Sequence, residues 1–233
     1  MPGNVAPPAA AVVFDFDGVL VDTEAMHLAA FQEVFAARGW PLDAREYFGE
    51  YLGYDDRALV RLYGARHERA IEAADVETLV ARKADVFQQR VAGGQVLYPQ
   101  ARDAVRRLGE RFPLAVATGS FRDEVVAILT AAGLIDAFSA VVAADDVARP
   151  KPAPDTYAAA VARIGVEPAR AVAIEDSAGG LSSARAAGLR TIGLTTTSHQ
   201  SRLAPHADVV LASLDDVTVE RIERLIAGLL DPQ

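Results

Sequence analysis

The stretch Val12-Val13-Phe14-Asp15-Phe16-Asp17-Gly18-Val19-Leu20-Val21-Asp22-Thr23 decides the fold. Val12 to Phe14 are β-branched or aromatic with no polar alternation, which predicts a strand buried on both faces of a parallel sheet. Two carboxylates, two residues apart and followed by glycine, stand where that strand should end. In an open α/β sheet this edge is where ligands bind. With a divalent cation at hand, one carboxylate can attack phosphorus while the other, its proton affinity set by the site, serves as acid and base. A turn-forming or helix-capping aspartate pair accounts equally well for an isolated D-x-D-G.

Three later segments repeat the pattern. Leu114 to Ala117 is a second apolar strand, running into Thr118-Gly119-Ser120 ahead of a helical stretch, a plausible anion cradle. Ala140 to Ala143 is a third, followed by Arg149-Pro150-Lys151-Pro152-Ala153-Pro154-Asp155, where prolines stiffen the chain around a single lysine. A lysine so held is a fixed point charge for phosphate. Ala171 to Ile174 is a fourth, and Glu175-Asp176 follow it directly, the all-oxygen chemistry that hard cations such as Mg2+ prefer.

The order D-x-D-G-V-L-x-D-T, T-G-S, P-K-P-A-P-D and E-D-S resembles the haloacid dehalogenase superfamily, in its phosphatase and β-phosphoglucomutase-like branch, over nearly the whole chain. The resemblance implies an α/β fold: a doubly wound parallel sheet, Rossmann-like, with a small α-helical cap domain inserted. It implies that Asp15 attacks phosphorus to give an aspartyl phosphate, and that Asp17 protonates the leaving oxygen and then activates water. It implies Mg2+ held by Asp15, the Asp17 main-chain carbonyl, Glu175 and Asp176. Thr118 and Lys151 would hold the transferring phosphoryl group, with Gly18, Gly119 and Ser120 shaping the loops around it; Lys151 would also temper repulsion among the acids.

Composition agrees. The chain has 233 residues, ample for a buried core, with 51% hydrophobic and 24% charged residues as in a soluble globular protein. Its net charge of -9, with no cluster of Lys and Arg, argues against a nucleic-acid surface. It has no cysteine, which excludes disulfides and thiolate metal sites. Residues 1–11 lack the charged and apolar regions of a signal peptide, and no apolar run approaches the roughly 18 residues of a membrane span. The expectation is a cytoplasmic protein, a monomer or weak homodimer, acting on a small phosphorylated metabolite.

From about Gln100 onward strands alternate with helices over 101–112, 122–132, 155–164, 178–187 and 219–230, with further strands at 191–194 and 208–211. Gly133, Gly165 and Gly188 stand where helix C-caps belong. Between the first two motifs the pattern changes: Leu28, Phe31 and Phe35 recur at helical spacing, as do Val76, Leu79, Val80, Lys83 and Phe87. About four helices are predicted over 24–91, with Gly93-Gly94 as a return hinge. The predicted division is a catalytic core of 1–22 and 95–233 and a cap of 23–94. In the family that such a chain resembles, the cap closes over the catalytic face and selects the substrate, and a lid of this kind excludes water and commits the ligand.

His27, Gly53, Arg57 and Lys83 are the cap's candidate substrate contacts; for His27 and Lys83 the alternative is an ordinary helix residue. Tyr47, Tyr51 and Tyr54 offer either a sugar contact or packing. Asp146, ahead of the lysine loop, is expected to organise that loop. The chain departs from the phosphohexomutases it resembles in one respect: three residues after Gly53, where those enzymes carry arginine, it has Asp56. The expected activity is therefore Mg-dependent hydrolysis of a small phosphate monoester, a sugar phosphate or similar, through an aspartyl phosphate. The alternatives are a phosphohexomutase, a haloalkanoate dehalogenase, which would have no use for Asp17, Glu175 and Asp176 together, and a non-catalytic phosphate-binding protein.

Overall fold

In a computed structural model of the chain, residues 10–51, 56–92, 96–149 and 151–229 are described. In chain order the regular elements are β1 (Ala11–Phe14), α1 (Thr23–Ala36), α2 (Ala44–Glu46), α3 (Asp56–Arg66), α4 (Ala73–Ala92), α5 (Ala101–Gly109) and β2 (Leu114–Ala117). They continue as α6 (Arg122–Ala131), β3 (Ala140–Val142), α7 (Asp155–Ile164), β4 (Ala171–Glu175), α8 (Ala178–Ala186), β5 (Arg190–Leu194), α9 (Gln200–Leu203), β6 (Val209–Leu211) and α10 (Val219–Ile226). The chain divides into two compact units, one of residues 1–22 with 97–233 and the other of residues 23–96.

The first unit is built on a six-stranded sheet of order β3-β2-β1-β4-β5-β6, parallel throughout. The chain winds outward from β1 to β3, then returns to place β4 on the other side of β1. This is the doubly wound arrangement, and its switch point lies between β1 and β4, where the crevice at the strand ends opens. Every residue of β1, β2 and β4 is buried. Their continuous apolar character follows, since parallel strands are covered on both faces. Ala11, Val13, Ala115, Ala117, Ala171 and Ala173 share one core cluster with Tyr157, Ala160 and Val161 of α7 and Ala184 of α8. Small residues on that sheet face let the helices approach closely. Alternate residues of the same strands point the other way, and α5 and α10 pack against β2 and β4.

Pairing aligns the strand ends. Phe14 lies beside both Val116 of β2 and Ile174 of β4, and the ladder runs one residue further, Asp15 N donating to Ile174 O at 2.9 Å and Thr118 N to Val142 O at 2.9 Å. Asp15, Thr118 and Glu175 are thus carried to one edge by adjacent strands. α5 and α10 stop at Gly109 and Ile226, short of the predicted Phe112 and Leu230. The other expected elements recur within a residue or two.

The second unit is helical, as its periodicity predicted. Phe31, Phe35, Leu59, Tyr63, Val76 and Leu79 form its core, where α1 and α3 both pack on α4. A π-helical turn over Tyr47–Tyr51, extending α2, has no counterpart in the apolar pattern. Gly53, Tyr54, Gly93, Gly94 and Pro150 lie outside the described residues.

Candidate active site

The loop after β1 turns tightly, Leu20 N and Val21 N both reaching back to Phe16 O, and Gly18 N donating to Val21 O at 2.9 Å. Gly18 adopts φ +75°, and a Cβ there would overlap the carboxylate of Asp176. Only glycine meets both demands. Asp15 projects from this turn and is 8% exposed. Asp17 accepts a short hydrogen bond from the Ser120 hydroxyl, and Ser120 N donates to Thr118 Oγ1 at 3.0 Å. The Thr118-Gly119-Ser120 loop is thereby tied to the second aspartate. Nothing lies within 4 Å of where a Gly119 Cβ would stand, so the main chain of that loop is open to a ligand.

Lys151 reaches the same point from the other direction. Its ammonium lies 2.8 Å from Asp15 Oδ1, 2.7 Å from Glu175 Oε1 and 3.1 Å from the Tyr157 hydroxyl, so all three of its protons are engaged. It also sits 4.6 Å from the centroid of the Tyr157 ring. Glu175 is the most completely held carboxylate. Besides Lys151 on Oε1, its Oε2 accepts from Asp176 N, Ser177 N and Ser177 Oγ, each at 2.9 Å. Ser177 in turn caps α8 by accepting from Gly180 N at 3.0 Å. A Cβ on Gly180 would overlap the Glu175 carboxylate, so the serine cap and the glycine together make room for the acid.

Three carboxylates, Asp15, Glu175 and Asp176, thus meet beside one lysine, with one oxygen of each within 4.8 Å of the others. Their proton affinities diverge for identifiable reasons. Burial, then the charge of Glu175, hold Asp15 well above the usual carboxylate range, against the pull of Lys151. Burial and Glu175 likewise push Asp176 up to about 7. Glu175 itself falls: burial opposes its charge, but Lys151 and the Ser177 donors outweigh that cost. Lys151 is raised, since Asp15 and Glu175 outweigh its burial. One lysine therefore lowers one acid, Glu175, and leaves Asp15 and Asp176 holding their protons more tightly than free carboxylates do. A set of oxygen donors short of positive charge fits a hard divalent cation.

Asp146, expected to organise the lysine loop, has its described contacts outside that loop, with Arg122, Ala143 and Arg163. It takes a short contact from Arg122, accepts from Ala143 N at 2.9 Å and lies 3.3 Å from Arg163, contacts that lower it to about 2.

In the helical unit, the expected substrate contacts have partners of their own. Lys83 is 3% exposed and donates to both oxygens of Asp56 at 2.9 Å and to His27 Nδ1 at 2.6 Å. Its ammonium lies 5.1 Å and 5.2 Å from the rings of Phe31 and Phe87, and His27 stacks on Phe87 at 4.4 Å. Burial and the lysine lower His27 to about 4, keeping it a neutral acceptor. Arg57 is exposed and paired with Glu77 at 2.8 Å. Asp56, which stands where the phosphohexomutases carry arginine, pairs with Lys83 and cancels its charge.

Three residues at the catalytic edge have no precedent in the sequence reading. Tyr157 presents its hydroxyl to Lys151 and Glu175, Thr197 donates a short hydrogen bond to Asp176, and Thr196 donates one to Gly18 O. A Tyr six positions after the lysine, on the first turn of α7, and a hydroxyl run directly after β5 were the available signals.

The model of the haloacid dehalogenase-like hydrolase family matches residues 9–188. The CbbY protein of Rhodobacter capsulatus is 36% identical over 200 residues, covering 78% of this chain and 83% of that protein. Fructose-1-phosphate phosphatase YqaB of Escherichia coli is 34% identical over 191 residues, covering 78% and 95%. The crystal structure of CbbY from Rhodobacter sphaeroides in complex with phosphate superposes with a TM-score of 0.72 at 32% identity, covering 92% of this chain and 99% of that one.

Proposed function

The chain belongs to the haloacid dehalogenase-like hydrolases and is a phosphoric monoester hydrolase, and on that footing we propose that it hydrolyses a small sugar-type monophosphate through an aspartyl phosphate on Asp15. The observation that carries this reading is the convergence of Asp15, Lys151, Glu175 and Asp176 at the end of β1, at the switch point of the sheet.

Asp15, Glu175, Asp176 and the Asp17 main-chain carbonyl are the groups that would hold Mg2+. Bound there, Mg2+ supplies the positive charge that keeps Asp15 ionised and neutralises charge on the transferring phosphoryl group. The remaining work falls to the chain. Asp15 attacks phosphorus; the bond to the ester oxygen breaks, and that oxygen takes a proton from Asp17. Asp17, now a carboxylate, accepts a proton from water as the water oxygen attacks phosphorus and the bond to Asp15 breaks. Ser120 orients Asp17 for both transfers. Lys151, anchored by Glu175 and Tyr157, turns its third proton from Asp15 to a phosphoryl oxygen. Thr118 and the open main chain at Gly119 complete the cradle.

The helical unit is read as the cap that chooses the leaving group. Lys83 has all its protons engaged by Asp56 and His27, so it is read as internal structure and not as a contact for a second phosphate. That favours hydrolysis of a monophosphate over the phosphohexomutase reaction, which must handle a bisphosphate. YqaB, by its name, acts on fructose 1-phosphate, a substrate of the kind proposed. No helix among the described residues is long and apolar enough to cross a membrane.

The test is phosphate release from a panel of sugar, polyol, glycolate and nucleotide monophosphates with Mg2+, run beside glucose 1-phosphate with a trace of its bisphosphate. Release from sugar monophosphates is expected. Isomerisation to glucose 6-phosphate outrunning release would establish the mutase, and phosphate binding without turnover on any ester would establish a binding protein.

A further inference from the structure

Asp176 owes its position to residues on three separate loops. Its Oδ2 lies against Gly18, in the space a Cβ would take, and the same imagined Cβ would stand 3.0 Å from Thr197 Cγ2. Thr197 closes the contact from the far side by donating its hydroxyl to Oδ2, and its neighbour Thr196 donates to the carbonyl of Gly18 itself. The contacts form a ring: Gly18 to Asp176, Asp176 to Thr197, Thr197 through the main chain to Thr196, and Thr196 back to Gly18. It joins the loops after β1, β4 and β5 at the catalytic edge, and Leu211 anchors the third loop by accepting from Thr195 N at 3.0 Å.

The two acids of the Glu175-Asp176 pair are therefore held differently. Glu175 is fixed within its own segment by Asp176 N, Ser177 N and Ser177 Oγ, together with Lys151. Among the contacts described, the side chain of Asp176 accepts its hydrogen bond from Thr197, across 21 residues of sequence. A carboxylate with one oxygen tied to a hydroxyl has its plane set, and the other oxygen is presented in a fixed direction. Groups that orient a ligand in this way commonly change metal affinity about 10- to 100-fold when removed.

We infer that Thr197 is a positioning residue, which sets the Asp176 carboxylate for a divalent cation, and that Thr196 secures it by pinning the same loop to Gly18. This rests on the reading of Asp15, Glu175 and Asp176 as cation ligands. The hydroxyl, and not the bulk of the side chain, does the positioning, so Thr197→Ser should keep the function that Thr197→Val loses.

The experiment is Mn2+ binding to the full chain without substrate, followed by the paramagnetic signal of the free ion and by calorimetry. Wild type, Thr197→Val, Thr197→Ser and Thr197→Ala are compared after circular dichroism of each. The expected result is about 10- to 100-fold weaker Mn2+ binding in Thr197→Val and Thr197→Ala, with Thr197→Ser close to wild type. In turnover, the metal concentration needed for half activation should rise with the loss of the hydroxyl while kcat at saturating metal changes less. Equal Mn2+ affinity in wild type and Thr197→Val overturns the inference and leaves the proposed hydrolase intact. Equal weakening in Thr197→Val and Thr197→Ser overturns it too, since shape and not the hydroxyl would then be responsible. Failure of the wild type to bind Mn2+ overturns it together with the cation reading on which it rests.

Discussion

Replacing Lys151 by alanine removes the cation that Asp15 and Glu175 share, at 2.8 Å and 2.7 Å, in a site where the lysine side chain is 12% exposed and that of Glu175 only 1%. Deleting one partner of a buried ion pair costs about 3–5 kcal/mol, because the remaining charge stays desolvated. Burial and the neighbouring acids raise Asp15 against the pull of Lys151, whereas Glu175 is depressed chiefly by Lys151, so the cost falls mainly on Glu175, which keeps its Ser177 donors but loses its largest source of stabilisation. For a domain of this size, about 1 kcal/mol corresponds to 2–4 °C, so a Tm lowered by roughly 6–20 °C is expected in chelator at neutral pH. The pH dependence has a definite sign. Glu175 is depressed in the folded state, so its contribution is present above the ordinary glutamate range and is lost as pH falls through the lower folded value. The gap between wild type and Lys151→Ala should therefore be widest near neutrality and close as the solution is acidified below about pH 4.5. Thermal and urea unfolding over that range measure it. A variant as stable as wild type at neutral pH in chelator, or a gap that widens on acidification, refutes the electrostatic account of the site.

Further outcomes follow from the same contacts. Asp15→Asn should abolish turnover, whereas Asp17→Asn, which loses only proton transfer, should retain activity lowered about 10²- to 10⁴-fold; full activity in either contradicts its assigned role. Gly180→Ala should cost about 1–3 kcal/mol by urea unfolding, because its methyl must displace the Glu175 carboxylate, and an unchanged midpoint would show that the acid has room to move. Asp146→Asn should lose about 1–2 kcal/mol at neutral pH; since Asp146 is depressed to about 2, the difference from wild type is full above the ordinary aspartate range and disappears on acidification toward pH 2. Asp56→Asn should destabilise the helical unit by leaving Lys83 short of its counter-charge, and a melting curve superimposable on wild type would show that the pair carries no stability.

The parts of the fold legible in the sequence were those fixed by local burial. β1, β2 and β4 are covered on both faces, so their apolar runs stood out, and the acids at the ends of β1 and β4 marked the edge of the sheet. Gly133, Gly165 and Gly188 all take positive φ, as their positions after helices implied. What escaped notice depends on contacts between distant segments. Thr196 and Thr197 acquire a role only when the 178- and 21-residue separations to Gly18 and Asp176 are closed. Tyr157 is a core residue whose hydroxyl is delivered to Lys151, a contact that no local pattern marks. In the helical unit, the periodicity that placed Lys83 on α4 gave no hint that Asp56, 27 residues earlier, would engage both of its available oxygens with it.

The central claim is that Asp15 carries the phosphoryl group, and acid quenching during turnover of a monophosphate with Mg2+, followed by peptide mass spectrometry, tests it most directly. The account predicts a single phosphoryl adduct on the peptide containing Asp15, labile to hydroxylamine as an acyl phosphate must be, and absent from Asp15→Asn protein. Steady turnover with no adduct on Asp15, or an adduct that persists when Asp15 is replaced, would contradict it.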